Sequence, residues 1–204
     1  PMNKSIIVAG IGTEIGKTLI SAIFTQVLQA DYWKPIQSGN PEEADALFIK
    51  KMTQLPNLKV WDSSYVLSQP LSPHTAAEID GVTIDLEAIQ LPQTSNTLIV
   101  ELAGGILVPV NDHQTNLDLI KKLNLPVLLV SKNYLGSINH TLLTYQILKD
   151  NHIPIMGIVF NGSSNPSGEK FILKYTQLPV VLRVQQEQEI TPETIIKYAK
   201  SISN

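Results

Sequence analysis

The chain reads as an α/β protein built on a mostly parallel β-sheet with helices on both faces, and two observations predict it. Short apolar, β-branched runs at residues 6–8, 97–100, 126–130, 155–160 and 179–184 lack the polar alternation of a half-exposed strand, so they suit strands buried on both sides. Between them lie segments whose apolar residues recur at helical spacing. Strand and helix thus alternate along the chain, as right-handed crossovers onto a parallel sheet require. At 204 residues the chain is long enough for one such unit and too short for two of ordinary size, so residues 2–204 are expected to form a single domain. Pro1, ahead of Met2, reads as a residue left over from expression and is set aside.

The first strand, Ile6-Ile7-Val8, ends at Gly10 and Gly12, and Gly16-Lys17-Thr18 opens an apolar-periodic segment, Leu19, Ile20, Ala22, Ile23, Val27 and Leu28, which reads as a helix packed back on the sheet. Strand, glycine loop, Lys-Thr and helix make a phosphate-binding arrangement. The loop N–H groups and the helix N-terminus offer partial positive charge, Lys17 a full charge, and the Thr18 hydroxyl a ligand for Mg²⁺. The spacing departs from the common pattern, which has a glycine where this chain has Ile11; Gly10 falls one position early. A plain glycine turn is the competing reading, but the triplet stands where a phosphate would sit, and a nucleoside triphosphate is the expected ligand.

Residues 31–34 read as a second strand left at Pro35, which sets Lys34 at the carboxyl edge of the sheet, where such folds bind ligands. Ser38-Gly39-Asn40-Pro41 is loop chemistry. Residues 42–52 read as a helix with Ala44, Leu47, Phe48 and Met52 on one side and Asp45 near its start. Residues 55–93 are broken by Pro56, Pro70, Pro73 and Pro92; a turn at Leu71-Ser72-Pro73-His74 precedes a short helix at 75–79, and substrate-specific loops are expected here. The strand at 97–100 is ended by Glu101 before Ala103-Gly104-Gly105, which puts a carboxylate at its tip as a second Mg²⁺ partner. A short extension at 107–110, a helix at 116–123, a strand at 126–130 and a helix at 138–148 burying Leu142, Leu143, Tyr145 and Ile147 follow. The remaining elements are a strand at 155–160 closed by Asn161-Gly162, a helix at 169–175, a strand at 179–184, and a helix at 192–202 carrying Ile195, Ile196, Tyr198 and Ala199.

Composition narrows the function. A net charge of −3, a pI near 5.8 and Arg183 as the single arginine give no basic face for a nucleic acid. With no cysteine there are no disulfides and no thiolate metal sites. Neither a secretory leader nor an apolar run of membrane-spanning length is present, so a cytoplasmic protein with no membrane contact is expected. His74, His113, His140 and His152 lack metal-ligand spacing, and Ser38 has no histidine and acid arranged around it as a nucleophile would.

Six segments in register resemble the dethiobiotin synthetase family of the P-loop NTPase superfamily: Gly12-Thr13-Glu14-Ile15-Gly16-Lys17-Thr18, Lys34-Pro35-Ile36-Gln37-Ser38-Gly39, Ala44-Asp45-Ala46-Leu47, Glu101-Leu102-Ala103-Gly104-Gly105, Leu135-Gly136-Ser137-Ile138-Asn139-His140 and Gly157-Ile158-Val159-Phe160-Asn161. The resemblance covers nearly the whole chain. It implies a P-loop NTPase-like fold and an ATP-dependent closure of the ureido ring of dethiobiotin, in biotin synthesis, from 7,8-diaminononanoate and CO₂. An amine captures CO₂ as a carbamate, the carbamate attacks the γ-phosphate of MgATP to give a carbamic-phosphoric anhydride, and the second amine closes the ring and expels phosphate. Such chemistry asks for positioning and charge neutralisation.

By the same resemblance, Lys17 holds the β- and γ-phosphates and Lys34 stabilises charge shared by carbamate and γ-phosphate, while Thr18, Asp45 and Glu101 hold Mg²⁺. Thr13 and Ser38 lie by the carbamate, and Glu14, Ile15, Gly16 and Leu19 belong to the nucleotide-binding loop and helix start. Leu102, Ala103 and Gly104 continue the nucleotide site from Glu101, and Asn161 with Gly162 faces the adenine. Gly136, Ser137, Ile138 and Asn139 would meet the substrate carboxylate from the neighbouring subunit of a homodimer. Plainer readings exist for several: Lys34 as a solvated lysine, Asp45 as an acid favoured by a helix start, Glu101 as the end of a strand, Asn139 and Asn161 as turn residues.

The chain departs from the family at Gly10-Ile11-Gly12-Thr13, where Gly-Thr-Asp-Thr is common, at Gly162, where an acid is frequent, and at Val184-Gln185-Gln186, where an Ile-Pro loop is usual. The alternative of another class is a partitioning or division-site nucleotide switch, but its signature lysine would stand at Gly12, and the tail from Lys197 to Asn204 is no basic amphipathic anchor. An amide-forming relative acting on corrin precursors would bring a glutaminase cysteine, and this chain has none.

Overall fold

The computed structural model describes residues 5–40, 42 and 44–203. Pro1, Met2, Pro41 and Glu43 lie outside the described residues, and with them part of the expected loop at 38–41 and helix at 42–52. Nine strands and seven helices are described: β1 (Ile6–Gly10), α1 (Lys17–Leu28), β2 (Asp31–Trp33), β3 (Ile36–Ser38), α2 (Asp45–Met52), β4 (Val60–Trp61), β5 (Tyr65–Leu67), α3 (Pro73–Asp80), β6 (Leu98–Gly105), α4 (Asn116–Leu123), β7 (Val127–Lys132), α5 (Ser137–Asp150), β8 (Ile155–Asn161), α6 (Pro166–Thr176), β9 (Val180–Val184) and α7 (Pro192–Ser203). Seven strands form one parallel sheet in the order β4-β2-β6-β1-β7-β8-β9.

The two-residue period of β1 divides the core. Ile6 and Val8 face one layer with Ile20, Ile23 and Phe24 of α1, Ile49 and Met52 of α2, and Ile195 and Tyr198 of α7. Ile7 and Ala9 face the other with Ala76 and Ala77 of α3, Leu119 and Ile120 of α4, and Leu148 of α5. Both faces are thus covered, which is why the strands read as continuous apolar runs. No helix among the described residues is long and apolar enough to cross a membrane.

The structure corrects several boundaries. Glu101 does not end its strand: β6 runs on to Gly105 because β1 continues beside it, with a bulge between Val8 and Gly10, and Glu101 is buried within the sheet. The chain after Pro35 forms β3, which includes Ser38 and pairs with β5 in a second, two-stranded parallel sheet. The helix expected from residue 42 begins at Asp45, and that expected at 75–79 spans Pro73–Asp80. Residues 107–110 add no strand, since only Pro109 bridges to Thr115. Leu143 and Leu47 are exposed; α5 buries Tyr145 as expected, together with Thr141, Thr144 and Leu148.

Candidate active site

The sheet order places the site. β1 is central, and the chain passes from it to β2 beyond β6 on one side and later to β7 on the other, so a crevice opens at the carboxyl end of β1. The loop from Gly10 to Gly16 crosses that crevice and delivers Lys17 as the first residue of α1. The helix start carries no side-chain cap and no acid in its first turn, which leaves its N–H groups for an anion. Gly16 is dictated by the fold: its φ is +93°, and a Cβ there would stand 2.1 Å from Asn161 Nδ2. Asn161, at the end of β8, donates from that nitrogen to the Ile15 carbonyl at 2.8 Å and ties the loop to the strand beneath it.

The two lysines enter the same crevice. Lys17, 7% exposed, donates to the Gly12 carbonyl at 2.8 Å. Burial lowers its ammonium to about 8; the nearby Glu101 and Asp45 carboxylates oppose the fall and the Lys34 charge adds to it. Lys34, following β2, is 9% exposed and is therefore no solvated surface lysine. It contacts Asp45 directly and approaches Glu101 Oε1 at 3.5 Å. Burial works against its charge, yet the two carboxylates outweigh burial and hold its pKa above the ordinary value. Burial likewise pushes Asp45 up, but Lys34, the Thr18 hydroxyl and Lys17 bring it below the usual carboxylate range.

Thr18 joins the acids. Its hydroxyl lies 2.6 Å from Asp45 Oδ1 and 2.8 Å from Glu101 Oε1, with one proton to serve both. Three oxygens so close around one point call for positive charge. The donor set of hydroxyl and carboxylates, all hard oxygen, fits Mg²⁺, which takes few protein ligands and completes its octahedron with phosphate oxygens and water. It is no closed protein cage: among the described residues no group of three or more His, Cys, Asp or Glu side chains could hold a metal.

Other expected residues gather less tightly. Ser38, on β3, has a buried hydroxyl without a hydrogen-bond partner. Thr13 and Glu14 are exposed on the loop, Glu14 with φ +56° and its carbonyl taking a 3.2 Å hydrogen bond from Lys132 Nζ. Ile15 is buried and Leu19 half-buried. Gly104 abuts Thr13, whose hydroxyl would lie 3.6 Å from a Cβ built there, and Leu102 is buried. The Gly162 N–H donates to the Val184 carbonyl at 2.9 Å. Gly136 caps α5 with φ +98°, but Gly136, Ile138 and Asn139 line a separate cavity of about 710 Å³ with Asn133 and Ser163. Ser137 is buried, its hydroxyl accepting from the Tyr134 N–H at 3.2 Å. Neither Lys17 nor Lys34 lines that cavity.

Two residues of the site escaped the sequence reading. Tyr32 donates to Glu101 Oε2 at 2.9 Å from full burial, which together with that carboxylate raises its pKa well above 10. Asn116 donates to the carbonyls of Ala103 at 2.6 Å and Gly105 at 2.9 Å, holding the glycine end of β6. Neither has a signal in sequence, because an apolar strand and a helix start explain both residue types.

Comparison with known proteins meets this geometry. A protein-family model described as an AAA domain matches residues 4–194. The ATP-dependent dethiobiotin synthetase of Cytophaga hutchinsonii is 50% identical over 197 residues, covering 96% of this chain and 95% of its own. That of Christiangramia forsetii is 43% identical over 199 residues, covering 98% and 96%. The chain belongs to the dethiobiotin synthetase family. Among solved structures, a ParA family ATPase from Chlorobium tepidum has a TM-score of 0.59 at 16% identity, covering 98% of this chain and 92% of its own. The Pyrococcus furiosus cell division ATPase MinD gives 0.59 at 15%, covering 98% of each. Those two share a fold with this dethiobiotin synthetase family member and nothing closer, so they do not favour a nucleotide switch. At Gly12, the departure from the commoner dethiobiotin synthetase loop, an added Cβ would meet nothing within 4 Å, so sterics do not demand glycine there.

Proposed function

We propose that the chain, acting as one domain in the cytoplasm, forms dethiobiotin from 7,8-diaminononanoate, CO₂ and MgATP. One observation carries the reading: Lys17, opening α1, and Lys34, following β2, reach one crevice, with Thr18, Asp45 and Glu101 beside them. A polyphosphate laid over the loop would replace Asp45 and Glu101 as the nearest anion to Lys17, and Lys34 would stand beside its terminal group. When a carbamate oxygen bonds to the γ-phosphorus, the ADP oxygen leaves. Negative charge then spreads over both groups, and a second ammonium at that point stabilises it more than it stabilises the ground state. In the second step the free amine attacks the carbamoyl carbon, and phosphate departs with the former carbamate oxygen.

Thr18, Asp45 and Glu101 would hold Mg²⁺, which neutralises phosphate charge when bound. The partnerless Ser38 hydroxyl and the exposed Thr13 hydroxyl are free to meet the carbamate. Asn161 and Gly162 would face the base, with Asn161 keeping its Oδ1 for an exocyclic amine while Nδ2 holds the loop.

The protein would act as a homodimer. Tyr134 joins its hydroxyl to His140 Nδ1 at 2.8 Å, and Leu107 and Leu143 are exposed with His140 around a cavity of about 480 Å³ that also contains Gly12 and Thr13. Leu135 is fully exposed nearby in sequence. Pairing such a face with a second copy would bring the partner's α5 start to the loop, where its N–H groups suit a carboxylate. The test is phosphate release from MgATP with bicarbonate, with and without diaminononanoate. Release that depends on the diamine supports the proposal; diamine-independent release, or none, would refute it.

A further inference from the structure

Glu101 offers two oxygens, and the structure treats them differently. Oε1 faces the Thr18 hydroxyl and Lys34. Oε2 accepts a single side-chain hydrogen bond, 2.9 Å long, from the phenol of Tyr32 on the neighbouring strand. Tyr32 is paired in register with Ile99, two residues before Glu101, so the ladder between β2 and β6 fixes where the hydroxyl stands. Tyr32 and Glu101 are both essentially fully buried, so no water competes for Oε2. A carboxylate held at one oxygen has lost rotation about its last torsion, and its other oxygen keeps one direction.

Resting on the proposed metal site, we infer that Tyr32 is a positioning residue that orients the Glu101 carboxylate toward the Mg²⁺ held with Thr18 and Asp45. The hydroxyl touches neither nucleotide nor metal; it acts through Glu101. Partners of this kind, hydrogen-bonded behind a metal ligand, typically contribute about 10–100-fold in metal affinity.

The experiment titrates Mg²⁺ into protein with ADP and follows the rise in ADP affinity by calorimetry, which needs no turnover. Tyr32→Phe is expected to raise the Mg²⁺ concentration at the midpoint by about tenfold or more, with metal-free ADP affinity unchanged. Thr94→Val, which removes a 2.8 Å hydrogen bond to Asp31 beside Tyr32 without touching Glu101, should leave the midpoint where it was. An unmoved midpoint in Tyr32→Phe, an equal fall of metal-free affinity, or the same shift in Thr94→Val would overturn the inference. A second arm covers a Tyr32→Phe protein that does not fold because a buried carboxylate has lost its donor. In a Glu101→Gln background no such charge remains, and adding Tyr32→Phe should move the midpoint no further; an additional shift would overturn the inference. If ADP binding by the unaltered protein ignores Mg²⁺, the metal site and this inference fall together, whereas a failure confined to Tyr32→Phe leaves the metal site standing.

Discussion

Lys34 separates binding from chemistry most sharply. It neutralises two carboxylates now and would meet the terminal phosphate only as charge forms. Lys34→Ala is therefore expected to lower kcat by about 10²–10³-fold while ADP affinity changes little, since the lost interaction belongs to the transition state. Equal losses in both, measured by steady-state kinetics and calorimetry, would remove that role. Lys17 makes a pH prediction. Its ammonium, held at about 8 in the free protein, must be charged when a polyphosphate binds. Metal-free ADP affinity should fall by up to about tenfold per pH unit above about pH 8. Lys17→Arg, which stays protonated, should lose that slope, and an unchanged slope would assign the titration elsewhere. Glu101→Gln should raise the Mg²⁺ needed for activity; an unaltered requirement would take Glu101 out of the metal site.

Among the elements, the glycine loop and its helix are the most constrained. Gly16→Ala forces a Cβ into a left-handed conformation and against Asn161, so a loss of about 1–2 kcal/mol in denaturant unfolding is expected, with weaker nucleotide binding as Asn161 gives up Ile15. An unchanged midpoint would mean the loop relaxes freely. This loop was legible because its function forces its residue types: glycine for the turn, lysine and threonine for phosphate and metal. The central strands were legible because burial on both faces leaves only apolar residues. β3, β4 and β5 were not, being two or three residues long, each with its pairing partner about thirty residues away and no run to mark it. Glu101 was placed at a strand's tip because a charge usually ends a buried strand; here β6 carries it inside, where Tyr32 and Thr18 satisfy it. On α5 only Leu143 was misjudged, since Thr141 and Thr144 bury their hydroxyls by donating to carbonyls one turn back, while Leu142, Tyr145 and Ile147 pack on the core as expected.

In the molecule as a whole, the sheet brings Lys17, Lys34, Asp45 and Glu101 together from segments more than eighty residues apart, while the start of α5 lines a cavity that none of them shares. A second copy is the proposed remedy. Leu135→Asp should separate the protomers in sedimentation and abolish ring closure while MgADP still binds; a monomer that still makes dethiobiotin would refute the shared site. In the proposed reaction the terminal phosphate is handed to a carboxylated amine, and oxygen tracing reads this directly. With ¹⁸O-bicarbonate and a single turnover of MgATP and diamine, the phosphate released should carry one ¹⁸O for each dethiobiotin formed, because the carbamate oxygen bonds to phosphorus and parts from carbon at ring closure. Dethiobiotin accompanied by unlabelled phosphate would contradict it.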